Sequence, residues 1–399
     1  MDPSFRATLT FSLIGFLVNF GFSLVTPVLP LYALTFNVTL AMVGTLVASA
    51  GLSKVALDIP AGVVSDRIGT KRFMVTGLGL VTISALISAL SLNYWMLLVG
   101  LIVQGIGSAI YFTTSYLGVS RLCPASKRGQ HLSIFISMQF LGSTSGPVLG
   151  GFLGQSFGLG TPFLAYAGLA MASMVAVHIL IDRSLIDRGR TDRIDYRQLS
   201  RSLQNYTLIA INIGLLAISV LRIGLIATVL PIFAVRNLGL GPADLGAVLT
   251  LFSFTNFVTL LPAGTLTDRF GRRPFLFSSL LLSGALAIIL PFAGGTIAFT
   301  LIMAAMGVTL GLSGAIGAWV ADVSPSRDLG ASMGIFRTMG DLGSFIGPIV
   351  LTVLLPPGAG EIGALPFLVA GGLIAASSLL LVPAKDPARR RKDGPRAAG

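Results

Sequence analysis

Twelve apolar runs of about twenty residues, separated by short polar stretches, constrain this chain more than any other feature of its sequence. They lie at approximately 7–34, 40–64, 73–92, 94–117, 132–153 and 162–182, then 206–234, 242–266, 275–292, 296–322, 331–356 and 364–383. A helix rises about 1.5 Å per residue, so about twenty apolar residues cross the roughly 30 Å of hydrocarbon in a bilayer. The runs are continuous rather than alternating, which favours helices over a barrel. Hydrophobic residues make up 54% of the chain and charged residues 11%, too few charges to cover a soluble protein of this length. An all-α, multi-pass membrane protein of twelve spans is expected.

A short phrase occurs twice. Residues 60–72 read PAGVVSDRIGTKR and residues 262–274 read PAGTLTDRFGRRP, so Asp66 recurs 202 residues later as Asp268. The ends of spans 1 and 7 echo as well, VLPLYA at 28–33 and VLPIFA at 229–234. A duplicated membrane domain points to transport. Two pseudo-symmetric six-helix halves follow, residues 1–182 and 206–383, with a linker at 183–205 and a basic tail at 384–399. The linker alternates Asp and Arg and reads as a solvated connector.

The formal net charge of +12 raises nucleic acid as a partner, but its distribution points to the lipid bilayer instead. With the N-terminus in the cytoplasm, 23 of the 27 Lys and Arg residues fall in cytoplasmic segments and only Arg236 in the opposite loops. That asymmetry orients a multi-pass protein with both termini cytoplasmic. The run Arg389-Arg390-Arg391-Lys392 serves as a topology anchor that also meets anionic lipid. No nucleic-acid partner is expected. No cleavable signal peptide is visible. Cys123 is the only cysteine, so no internal disulfide forms, and neither His131 nor His178 has a metal-ligand partner at useful spacing. No Walker loop, zinc motif or nucleophile elbow is present, so no cofactor, metal or catalytic residue is expected.

The repeated phrases resemble the loop signature of the major facilitator superfamily of secondary transporters, G-x-x-x-D-R-x-G-R-[KR]. Gly264, Asp268, Arg269, Gly271, Arg272 and Arg273 match it in full. Gly62, Asp66, Arg67, Gly69 and Lys71 match with one departure, Thr70 in place of a basic residue. A second motif, G-x-x-x-G-P-x-x-G-G on span 5, is matched by Gly142, Gly146, Pro147, Gly150 and Gly151. Span 11 echoes it as Gly343, Gly347 and Pro348. The resemblance covers essentially the whole chain and is closest to drug-efflux-like permeases. It implies that the loops hold the halves together on the cytoplasmic side in the outward-open state, with a role in topology and folding alone as the alternative. The span 5 motif is associated in that family with antiporters, although plain packing is the other explanation. The family's drug/proton antiporters carry R-x-x-Q-G on span 4, whereas this chain has Leu101 ahead of Gln104 and Gly105. That departure counts against ordinary proton coupling or moves it elsewhere.

Ionisable residues at membrane depth are costly and usually functional. Lys54 and Asp58 on span 2 are four apart and share a helix face, as do Arg337 and Asp341 on span 11. The resemblance implies that spans 2 and 11 face each other, which would match Asp58 with Arg337 and Lys54 with Asp341 as a cytoplasmic gate with proton coupling. Two self-neutralising intrahelical pairs are the alternative. At the repeat offsets these charges map to Asn256, Leu260, Ile136 and Phe140, so only one of two pseudo-symmetric interfaces is charged. Arg222, near the middle of span 7, has no acidic neighbour at helical spacing. The resemblance places it at the central cavity as a candidate substrate-binding residue with Asn19, Gln104, Gln139 and Asn256. Helix–helix hydrogen bonds, or a structural pairing of Arg222, are the alternatives.

The expected function is alternating-access secondary transport in a plasma (inner) membrane by a monomer, with proton-driven efflux of a small amphipathic molecule as the leading reading. A symporter or facilitator of a possibly anionic metabolite is the alternative. A non-transporting sensor or scaffold of the same fold is the alternative from another class.

Overall fold

A computed structural model describes residues 3–122, 128–181, 204–325, 328–355 and 360–386. Within them the side chains of residues 3–4, 58–59, 62–63, 66 and 128–129 are excluded. Cys123, most of the 183–205 linker and the run Arg389–Lys392 lie outside the described residues.

Every regular element among the described residues is helical. The first is α1 (Pro3–Val25), followed by a short α2 (Leu29–Leu34), α3 (Leu40–Ile68), α4 (Thr70–Ala89), α5 (Tyr94–Leu122), α6 (Arg128–Phe157) and α7 (Thr161–Leu180). After the linker come α8 (Tyr206–Ser219), a π-helical run Val220–Val229, and α9 (Leu230–Leu238). Then follow α10 (Pro242–Phe270), α11 (Arg273–Ile289), α12 (Thr296–Gly311), a 3-10 turn Leu312–Ala315, α13 (Ile316–Val323), α14 (Leu329–Val353) and α15 (Leu365–Leu379).

Ten helical stretches among the described residues have the length and apolar composition to cross a membrane. The other two expected spans coincide with α14 and α15. The 25-residue α14 is diluted by Arg337, Asp341 and glycines, and α15 is apolar but has 15 residues. Twelve spans are consistent with this set of helices.

Local chemistry sets the boundaries. Thr39 Oγ1 accepts the Met42 N–H at 3.3 Å and caps α3, and Asn205 Oδ1 accepts the Thr207 N–H at 3.0 Å and caps α8. The α3–α4 and α10–α11 turns pass through Gly69 and Gly271 at φ +96° and +95°, a left-handed conformation that costs a side-chain-bearing residue about 1–2 kcal/mol.

The described chain forms two compact units. Of the described residues, one holds those up to 181 together with 230–250, and the other holds those in 204–229 together with those from 251 onward. In the first, Phe11, Ile14 and Val18 of α1 pack with Met74 and Leu78 of α4, Tyr111 of α5 and Phe135 of α6, all at most 1% exposed. In the second, Gly284 of α11 and Gly371 of α15 bring two backbones together, and a Cβ on either would lie 2.6 Å from the other's carbonyl oxygen. Small residues permit this close approach where lipid offers no hydrophobic drive for helix association.

Candidate functional site

The two copies of the loop phrase are wired to the ends of neighbouring helices. In the first copy Lys71, almost wholly buried, extends its ammonium to the His178 carbonyl oxygen at 2.8 Å. That carbonyl lies in the last turn of α7, where carbonyls lack helical partners and favour a cation. Thr70, the departure from the family pattern, is buried and accepts a hydrogen bond from Arg121 Nη1 at 2.8 Å. Arg67 is exposed, and the side chain of Asp66 lies outside the described set.

In the second copy Arg272 pairs with Asp268 at 3.2 Å and with Asp322, near the end of α13, at 2.5 Å. The Arg273 N–H, at the start of α11, donates to Asp386 Oδ2 at 2.9 Å. That carboxylate oxygen lies 2.6 Å from where a Cβ on Gly271 would be, so the glycine makes room for it as well as making the turn. Gly264 has open space around it, and Arg269 is exposed with its guanidinium 5.4 Å from the Phe270 ring.

Gly142, Gly146 and Gly150 of α6 lie at four-residue spacing on one face. A Cβ on any of them would strike the backbone of α1 at Phe16, Phe20 or Leu24. Ser23 of α1 donates across the seam to the Gly142 carbonyl at 3.2 Å. Gly151 faces Pro242 of α10, and Gly246 faces the Pro147 carbonyl. One residue past Pro147, the Val148 N–H donates to Thr250 Oγ1 at 2.9 Å. In the second unit Gly343 and Gly347 of α14 pack in the same manner on Leu216 and Val220.

The intramembrane charges occupy distinct surroundings. Lys54 is half-buried on α3, its ammonium 5.6 Å and 5.7 Å from the ring centres of Phe22 and Phe112, in cation–π range. Asp58 follows one turn later on α3, and its side chain lies outside the described set. Arg337 and Asp341 are half-buried on α14.

Arg222 lies in the π-helical run, at the centre of the span Tyr206–Leu238. Its Nη2 donates to Asn256 Oδ1 at 3.3 Å, and Asn256 Nδ2 donates to the Gly307 carbonyl at 3.2 Å. Among the described residues no ion pair joins Arg222 to Asp341 or to any other carboxylate. Asn19 Nδ2 is bound to the Gly15 carbonyl of its own helix at 2.9 Å, and Gln104 is buried. Buried Gln139 Nε2 has no partner among the described residues. Of the five polar candidates, the fold joins only Arg222 and Asn256.

Arg121, Asp322, Asp386 and Thr250 were not among the residues that the motifs singled out. The repeat carried a signal for two of them. Thr70 corresponds to Arg272 and Arg121 to Asp322, a complementary exchange readable from the alignment of the halves. Leu101, where the family's antiporters carry Arg, is 1% exposed.

The sequence matches the Major Facilitator Superfamily over residues 11–211 and 213–398. It is 24% identical over 344 residues to an uncharacterized MFS-type transporter of Methanocaldococcus jannaschii, covering 84% of this chain and 87% of that one. It is 25% identical over 353 residues to Multidrug resistance protein 2 of Bacillus subtilis, covering 85% and 86%. The fold is similar to that of a D-xylose–proton symporter, with a TM-score of 0.75 at 16% identity, covering 96% of this chain and 98% of that one. Duplicated loop phrases, a glycine-faced α6 and a match spanning both halves lead to one conclusion: this chain belongs to the major facilitator superfamily and is a multi-pass membrane transporter rather than an enzyme.

Proposed function

We propose that this transporter exports small amphipathic organic compounds across a plasma membrane, as a monomer, with inward proton flow as its energy source and both termini in the cytoplasm. The observation that carries the reading is the glycine face of α6. Gly142, Gly146 and Gly150 hold α1 at backbone contact, and the motif they form is the one that resembles antiporters. The 25% identity to a protein named for multidrug resistance supports the same direction. Leu101 removes the arginine tied to coupling in such antiporters, so the proposal assigns coupling to the intramembrane carboxylates Asp58 and Asp341. Protonating a carboxylate at membrane depth removes a charge that is costly to hold there, which links a proton to a conformational preference. The neighbouring cations Lys54 and Arg337 complete the proposed gate.

A second reading, uptake of a small anionic metabolite, would use Arg222 as the anion anchor and differs in direction. Drug susceptibility in an efflux-deficient bacterial host separates the two. Wild type and Asp58→Asn are compared at matched membrane expression across a broad panel of toxic compounds. Resistance that disappears in the variant supports export coupled through α3. Resistance unchanged in the variant keeps export and removes the coupling role, and no resistance to any compound shifts the weight to uptake.

A further inference from the structure

We propose that Arg222 and Asn256 form an anion-binding subsite in the second unit, and that the substrates are amphipathic organic anions with a planar carboxylate or sulfonate beside an apolar body. The inference deepens the export reading above and takes that transporter's substrate as its ligand.

The argument begins with charge. A guanidinium carries five N–H donors and stays protonated in proteins. Arg222 places one at the centre of a span, in a run otherwise made of Val, Leu, Ile, Gly, Ala and Thr. Its one hydrogen-bond acceptor among the described residues is the neutral amide oxygen of Asn256, at 3.3 Å. A single long bond to a neutral group does not offset the burial of a full charge. Most of the fork remains to be satisfied, and the residue as a whole keeps some exposure.

The geometry then selects the ligand. Asn256 is 5% exposed and tied through Nδ2 to the Gly307 carbonyl, which leaves Oδ1 to hold one edge of the guanidinium. The backbones of α10 and α12 are pressed together there, since a Cβ on Gly311 would lie 2.8 Å from the Asn256 carbonyl oxygen. The amide is therefore a fixed support. Behind Arg222 the π-helical run is braced by Thr228 Oγ1, which donates to the Ile223 carbonyl five residues back at 2.6 Å, and by the approach of Gly224 to Gly347. Widened turns of this kind occur frequently at functional sites. A braced fork with free parallel donors fits a bidentate oxyanion. The run that carries Arg222 is otherwise apolar, a setting that adds nothing for a small hydrated ion and suits an aryl or alkyl body.

The repeat shows that the pair is particular to this unit. Arg222 corresponds to Gly21, which packs on Tyr166, and Asn256 corresponds to Lys54. The first half therefore folds without an arginine at the equivalent position.

The test is isothermal titration of the purified protein in nanodiscs of zwitterionic lipid, with empty discs subtracted. The probes are 2-naphthoate and its neutral isostere 2-naphthamide. Wild type is expected to bind the carboxylate at least about tenfold more tightly than the amide. Arg222→Gln is expected to weaken naphthoate at least about tenfold and leave naphthamide within about twofold. Asn256→Asp keeps the guanidinium but gives it a carboxylate partner, and is expected to act in the same direction. Equal or absent binding of the two probes by wild type overturns the proposal, as does naphthoate affinity that survives both substitutions, or loss of both probes together in Asn256→Asp. The result is independent of direction. Arginine-dependent naphthoate binding in a protein that confers no resistance would keep the subsite and remove the export reading, and resistance without that dependence would do the reverse.

Discussion

Arg272 Nε lies 2.5 Å from Asp322 Oδ2, and the corresponding contact in the first unit joins Arg121 to Thr70 with its polarity reversed. In the second unit the loop supplies the cation and the neighbouring helix end supplies the acceptor. In the first unit the helix end supplies the cation and the loop supplies the acceptor. Thr70 thus keeps the connection while departing from the family pattern. Thr70→Arg should place two guanidinium groups together at a buried position and destabilise the protein by about 2–4 kcal/mol. Adding Arg121→Asp should recover a substantial part. Thermal unfolding in detergent reads both, and a double variant no better than the sum of the singles would remove the idea of an exchanged pair.

The second-unit pair is more exposed and should matter less. Asp322→Asn is expected to cost about 0.5–1 kcal/mol, less at high salt, because Arg272 keeps Asp268. An effect as large as that of Thr70→Arg would show that exposure does not set the difference.

The glycine face of α6 predicts strong position dependence. A side chain at Gly146 meets Ser23 and the backbone of Phe20 and Leu24, whereas one at Gly168 of α7 meets nothing within 4 Å. Gly146→Leu should cost about 1–3 kcal/mol or more through overpacking and lower the yield of folded protein. Gly168→Ala should stay within about 0.5 kcal/mol of wild type. Equal losses would mean that close approach to α1 is not what Gly146 provides.

If Asp58 and Arg337 meet during the transport cycle, charge order is exchangeable between them. Asp58→Arg should abolish resistance in the susceptibility assay, and Arg337→Asp in the same chain should restore part of it. A double variant as inactive as the single would leave the pairing without support.

The spans were legible because hydropathy records what each segment is dissolved in. It records nothing about hydrogen-bond register, so the π-helical run at Val220–Val229 and the 3-10 turn at Leu312–Ala315 were invisible inside apolar blocks. The weakest hydropathy signal fell on α14, where Arg337, Asp341 and packing glycines replace lipid-facing residues. The duplicated phrases and the glycine spacing of α6 could be read directly, because one residue type recurs at fixed intervals. Which polar side chains meet was not legible. Asn19 turned back to its own helix, while Asn256 met Arg222 across 34 positions of sequence. Such choices depend on rotation about a helix axis, which composition does not fix.

The end of the described chain has a practical consequence for anyone shortening or tagging this protein. Lys385 offers its carbonyl to Trp319 Nε1 at 3.2 Å and its N–H to Thr207 Oγ1 at 3.1 Å, and Asp386 closes the first turn of α11. Three distant segments are thereby fastened by two consecutive residues that hydropathy alone would discard as trailing chain. Trimming back to Ala384 would unfasten all three together, so a cleavage site or affinity handle belongs beyond Asp386.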